Sequence, residues 1–491
     1  MMTIKQISHV TLRVVRPRGA AMVPALLALL VACGGAQGGA RGGTVPPPPH
    51  IDKSENATPA KGDAKREVSK DAKKDYEGAS QFFIATDKAH GWNESTCRQA
   101  ADKFSQVLHA HSDVVEAQFM IGLSYHRCGM VDDAEKAYQQ AIRMKPNHGA
   151  SLSNLGELYY RAGKVSDAKQ YWDSAIKANG KLIGARINVA SLELEQMRKI
   201  GNSKDANWKK LEEDARFNLS NVLGVDSDNV AAYTVYGLVY MEGWQANKNR
   251  LDLAKLLLDE AKKRNEKYAP LQNAYGLLYM HRASLNQALQ AFSAAVEADP
   301  KFIEARVNVG LVTLGFRKYD LAKEMLSKVV ELSPKHYDAY IGLGIALRGL
   351  KDLDGAEEQY KKAKDIDPKR GDAFYNLAVL YKDFRASKNN DLAASIVTYK
   401  QAKEYFQQFM TLAVDPADKS EAKEQVALID KTVTQIQAFM KAQANQPPPP
   451  PAPPAPAGGT SPAGTPPGGT PPAGTPPAGT PEAQPSAPQN K

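Results

Sequence analysis

The chain has 491 residues, a net charge of +9 and 24% charged residues, with bases and acids interspersed along its length. A basic excess this diluted argues against nucleic acid as the partner. Most of the length is one repetitive region of roughly 360 residues between low-complexity ends, which excludes a string of separate globular domains.

The chain opens with Lys5, Arg13, Arg16 and Arg18, followed by an acid-free apolar run from Ala20 to Leu30. That run is too short for an ordinary membrane span and reads as the core of a secretory signal. It ends in Leu30, Val31, Ala32, Cys33 and Gly34, which resembles the lipobox of bacterial lipoproteins. The resemblance implies cleavage after residue 32 and lipidation of Cys33, with Gly34 directing the product to the outer membrane. An ordinary signal peptide with a chance cysteine is the alternative. Removing residues 1–32 takes four cations with it and leaves a mature charge of about +5. Residues 33–75, rich in Gly and Pro and then in charge, are expected to form a flexible, disordered tether.

From Gly122 onward a 34-residue pattern recurs. It reads Gly122, Tyr125, Gly129, Ala134, Tyr138, Ala141 and Pro146, then Gly156, Tyr159, Gly163, Ala168, Trp172 and Ala175. It returns at Gly276, Tyr279, Ala288, Phe292, Ala295 and Pro300, and twice more through Gly310 and Gly344. Small residues at the eighth and twentieth positions let two antiparallel helices approach, an aromatic at the twenty-fourth fills the gap, and Pro at the thirty-second stops the second helix. The pattern resembles the tetratricopeptide (TPR) repeat. That resemblance implies an all-α, right-handed solenoid over residues 76–416, in which each unit buries its apolar face against its neighbours.

Helical pairs are expected at about 78–114, 115–148, 149–182, 183–229, 230–268, 269–302, 303–336, 337–370 and 371–416. The fourth, fifth and ninth depart from the period, through insertions that either carry binding function or are drift. Residues 417–445, with Val426, Ile429, Val433, Ile436 and Phe439 at helical spacing, read as a capping helix. Residues 446–491 hold eighteen of the 31 prolines and should be extended and disordered, as a spacer or a ligand for an aromatic groove.

No phosphate-binding loop, zinc-protease motif or Cys-x-x-Cys appears, so neither enzyme chemistry nor a cofactor is expected. His109 and His111 stand two apart, a spacing that does not put both on one helical face, so no metal site is assigned. Cys97 and Cys128 fall at one edge of adjacent units and could be bridged, or remain two free thiols.

In TPR proteins the second, fifth, sixth, ninth and twelfth positions of the first helix face the groove. The sixth is Asn in four units, Asn154, Asn188, Asn308 and Asn376, while Phe119 and Tyr375 are aromatic groove positions. Asn can donate and accept toward a peptide unit at once, so these residues either read an extended peptide or tie neighbouring helices. The overall layout of lipobox, long array and Pro-rich tail is similar to the outer-membrane TPR lipoproteins of the myxobacterial adventurous gliding-motility machinery. This implies a periplasm-facing scaffold of an envelope-spanning complex, with protein subunits as partners. A pilotin-like lipoprotein that assembles a secretin, and an activator of a peptidoglycan enzyme, are the alternatives.

Overall fold

The computed structural model describes residues 69–89 and 91–445, and all regular structure among them is helical. The signal, Cys33, most of the tether and the Pro-rich tail lie outside the described residues. The body through Phe439 is one compact unit. Its helices pair as α1 (Lys70–Lys88) with α2 (Glu94–Ala110), α3 (Val115–Arg127) with α4 (Val131–Met144), and α5 (Gly149–Arg161) with α6 (Val165–Ala178). Next come α7 (Ile183–Ile200) with α8 (Ala206–Val225), α9 (Val230–Met241) with α10 (Arg250–Arg264), and α11 (Ala269–His281) with α12 (Leu285–Ala298). The series continues with α13 (Ile303–Gly315) and α14 (Tyr319–Leu332), α15 (Tyr337–Gly349) and α16 (Leu353–Ile366), α17 (Asp372–Val379) and α18 (Leu392–Leu412), then α19 (Pro416–Ala444). This is the expected TPR solenoid. Each helix packs on the next in sequence, and first helices of neighbouring units also touch, as α7 with α9 and α9 with α11.

The repeat residues act as their chemistry requires. A methyl group on Gly122 would lie 2.6 Å from the ring of Tyr138, and one on Gly310 would lie 2.6 Å from Leu326, so only glycine admits those neighbours. The fifteenth position turns the chain between helices with a left-handed backbone, φ 69° at Gly129 and 77° at Gly163. Beside it the amide of Met130 donates to the carbonyl of Tyr125, closing the end of α3. In later units Ala283, Arg317 and Lys351 hold the same conformation, each at a cost of about 1–2 kcal/mol. Residues ahead of the repeat prolines, such as Lys145 and Asp367, are extended.

The first helix corrects one boundary. It starts at Lys70, inside the segment expected as tether, rather than near residue 78. The hydroxyl of Ser69 accepts from the amide of Ala72 and so caps it. Ala72, Ala79 and Phe83 are buried, and the rings of Tyr76 and Phe83 meet Phe104 of α2 at 5.7 and 6.5 Å.

Two of the insertions explain each other. The lengthened fourth hairpin buries Trp208, whose ring lies 3.2 Å from where a Cβ on Gly243 would stand in the fifth unit's added loop. Arg198 pairs with Glu242 at 2.7 Å, and Arg250 pairs with Glu212 at 2.7 Å while covering the Trp208 ring. One added segment packs on the other. In the ninth unit α17 continues as a π-helical turn, Leu380–Arg385, and a short 3-10 turn, Ala386–Lys388.

Candidate functional site

The site of interest is the face of the first helices where the sequence places its asparagines. The structure brings these residues into one register but gives them different employment. Asn308, on α13, donates through Nδ2 to Oδ1 of Asn273 on α11 at 2.8 Å, and both residues are half-buried. That pairing leaves the Asn308 carbonyl free to accept and the Asn273 amide free to donate, the pair of functions a peptide backbone needs. Half-buried Leu277 and buried Leu311 lie one turn along the same two helices. Asn188 is also half-buried.

Asn154 is committed to its own fold. Its Nδ2 donates to the hydroxyl of Tyr138 at 3.1 Å, and that hydroxyl meets Nδ1 of His126 at 3.2 Å. The Tyr138 oxygen accepts from Asn154 and keeps its own proton and a second lone pair for His126 Nδ1. Nε2 faces Glu157 at 4.0 Å, and Glu157 pairs with Arg161 at 2.5 Å. Burial, then the charge of Glu157 in the opposite sense, acts on His126, and the net effect holds its pKa below the ordinary value. Phe119 is half-buried and packs on Tyr138 and His148, with ring centroids 5.8 and 5.5 Å away. It is a wall of this cluster.

Tyr375 and Asn376 must be removed from any open groove. Tyr375 is 2% exposed, sits edge-on to Phe406 and Phe409, and donates to Glu421 of α19 at 3.2 Å. Asn376 is fully buried and donates to the carbonyl of Asp372 at 2.9 Å. The ninth unit is the last of the array, and the helices that close it cover the positions that a middle unit leaves open.

A residue that the asparagine pattern did not point to is Arg348, at the twelfth position of the eighth unit. It is 4% exposed, its side chain forms no ion pair or hydrogen bond among the described residues, and its Nη1 is buried without a partner. The ring of Phe384 lies 5.3 Å away, and the residue occupies the last turn of α15. A cation–π contact and the negative end of a helix contribute about 2 kcal/mol each at best. Burying an ion costs several kcal/mol, so those two contributions do not balance it. A charge at a groove-facing position straight after an apolar run, Ile345-Ala346-Leu347-Arg348, is the signal that could have found it.

Cys97 and Cys128 are joined in a disulfide with Cα atoms 6.4 Å apart, binding α2 to the residue that ends α3. Among the described residues no group of three or more His, Cys, Asp or Glu could hold a metal ion, and no helix is long and apolar enough to cross a membrane.

A tetratricopeptide-repeat family model matches residues 93–148, 129–182 and 310–371. No curated protein matches the chain. Among solved structures, YrrB, described as a TPR protein with an unusual peptide-binding site, is 21% identical, with 42% of this chain and 97% of that chain covered and a TM-score of 0.33. PilF of Pseudomonas aeruginosa is 17% identical, with coverages of 49% and 99% and a TM-score of 0.36. A TPR protein of Thermus thermophilus is 20% identical, with coverages of 41% and 100% and a TM-score of 0.35.

Proposed function

We propose that this chain of tetratricopeptide repeats is a non-catalytic scaffold that holds an extended segment of a partner across the first helices of its sixth and seventh units. The observation that carries the reading is the Asn273–Asn308 pair, which joins two neighbouring helices and still leaves one acceptor and one donor toward the groove. A protein partner suits the repeat architecture, since stacked units expose a long face with little chemistry of its own.

The scaffold is further proposed to be a lipoprotein anchored through Cys33 in the outer membrane and facing the periplasm. There it would assemble subunits of an envelope-spanning motility complex. The lipobox-like Leu30 to Gly34 segment and the tethered layout support this. The disulfide between Cys97 and Cys128 suits an oxidising compartment.

Three experiments test the two halves. Asn308→Ala in the full chain should weaken capture of the partner while leaving the melting temperature nearly unchanged, with ~1–3 kcal/mol expected for a partner group left unpaired. Unchanged capture alongside lost stability would return Asn308 to a purely structural role. Cys33→Ser should release the chain from the outer membrane in salt and carbonate washes, and retention there would sink the anchor. Mass spectrometry of what co-purifies in detergent decides the assembly: motility subunits support the reading, and a secretin ring or a peptidoglycan enzyme overturns it.

A further inference from the structure

The geometry points to a buried anion site in the eighth unit: we propose that Arg348 and the hydroxyl of Tyr360 hold a small, singly charged anion. This goes beyond the scaffold reading and does not depend on it. Arg348 is 4% exposed and Tyr360 is fully buried, and Arg348 Nη1 and the Tyr360 hydroxyl each lack a hydrogen-bond partner. Both are donors, so what suits them together is an acceptor, and the charge of the guanidinium makes a negative one favourable.

The neighbouring carboxylates are already engaged. Glu421 accepts from Tyr375 and Asp383 pairs with Lys382. Across the packed helices Asp338 and Asp372 are both taken by Arg370, at 2.7 and 3.1 Å. Glu357 binds Lys361 at 2.5 Å and Arg385 at 2.7 Å. Among the described residues no acid pairs with Arg348.

Arg348 and Tyr360 stand at the two repeat positions whose side chains, His126 and Tyr138, meet at 3.2 Å in the second unit. Burial pushes the Tyr360 phenol up to about 12, and the guanidinium pulls against that rise. The phenol therefore keeps its proton at neutral pH and can donate it. The register equivalents in the second unit are His126 and Tyr138, and there the hydroxyl is closed off by Asn154. The asparagine equivalent to Asn154, Asn376 of the ninth unit, turns back to its own helix at Asp372, so Tyr360 is not closed in that way.

The shared chemistry is that of a monovalent anion accepting from a guanidinium and a phenol. It could be a halide from solution or the carboxylate of a partner. The test uses the full chain in detergent, in gluconate buffer at constant ionic strength, titrated separately with sodium chloride and sodium formate. Thermal unfolding is followed in both titrations and the 35Cl linewidth in the first. The expected result is a saturable stabilisation equal to at least a tenfold change in the folding equilibrium, absent from Arg348→Met. That variant should also be more stable than the parent in gluconate alone. Tyr360→Phe should weaken anion affinity about tenfold. Saturation by both anions or by chloride alone assigns a halide-accessible site, and saturation by formate alone assigns a carboxylate site. No saturable dependence in the parent, or the same dependence in Arg348→Met, overturns the proposal. Should Arg348→Met fail to fold, Tyr360→Phe and the parent's linewidth still decide.

Discussion

The junction of the second and third units and that of the eighth and ninth set the same three positions on the same frame and spend them differently. At the first, His126, Tyr138 and Asn154 form a chain in which the central hydroxyl has two partners, and only His126 Nε2 is left without one. At the second, the equivalent Arg348, Tyr360 and Asn376 each keep a buried polar atom without a partner. The helix pairs superpose in role because the glycine and aromatic positions fix the approach. What differs is the chemistry placed beside the aromatic tip. A repeat specifies packing strongly and polar content weakly, so one unit uses these positions for rigidity and another leaves them for something else.

The largest effect should separate the two ends of the array. The Cys97–Cys128 disulfide closes a loop with a sequence separation of 31, worth ~3–4 kcal/mol against the unfolded chain. Reduction should therefore lower hydrogen-exchange protection in α1 to α3 and leave α15 to α19 as they were. Equal loss at both ends would mean that the array unfolds as one cooperative block.

The middle of the array offers a third treatment of a buried polar group. Glu193 on α7 is 4% exposed, with Oε2 unpartnered, and burial followed by the charge of Asp214 raises its pKa to about 8. Its ordinary value is 4.5, so the folded state prefers the protonated acid. Its contribution is fully present below pH 4.5 and is lost as pH rises toward about 8. Stability measured from pH 5 to pH 8 should fall in the parent by roughly 3 kcal/mol and stay flat in Glu193→Gln. A variant that keeps the slope would place the titration elsewhere.

A smaller and sharper contrast comes from removing one oxygen. Tyr138→Phe leaves His126 and Asn154 unpaired and should cost ~1–2 kcal/mol. Tyr360→Phe, measured without chloride, should lie within ~0.5 kcal/mol of the parent because that hydroxyl has no partner to lose. Equal losses by chemical denaturation would erase the distinction between the two units. Asn154→Ala separates stability from capture. It should cost ~1 kcal/mol of stability without altering capture of the partner, the opposite pattern to Asn308→Ala.

Much of the architecture was legible because the repeat chemistry is local. Gly122 against Tyr138 and Pro146 after α4 sit at fixed offsets, so helix pairs could be placed from the spacing alone. The start of α1 was hidden by composition: Lys70 to Asp75 look like tether, and it takes burial of Ala72 and Phe83 to order them. The groove was partly legible. The asparagines do fall in register, yet spacing says nothing of whether the amide meets a phenol, another amide or a carbonyl. Tyr375 was misplaced because Phe406 and Phe409 of α18 and Glu421 of α19 close over it, and Asn376 because its amide turns back to its own helix.

By itself the sequence determined the period, the helix pairs and the residues that allow close approach, since these depend on neighbours within one unit. Tertiary structure alone decided which register-equivalent polar groups are satisfied. That outcome depends on what the next unit and the closing helices bring within about 3 Å of each side chain, and hydrogen bonding fails beyond that reach. Asn308 faces an amide and Asn376 its own helix for that reason. Arg348 is buried for a related one: Phe384, thirty-six residues on, is carried over it by the turn that extends α17.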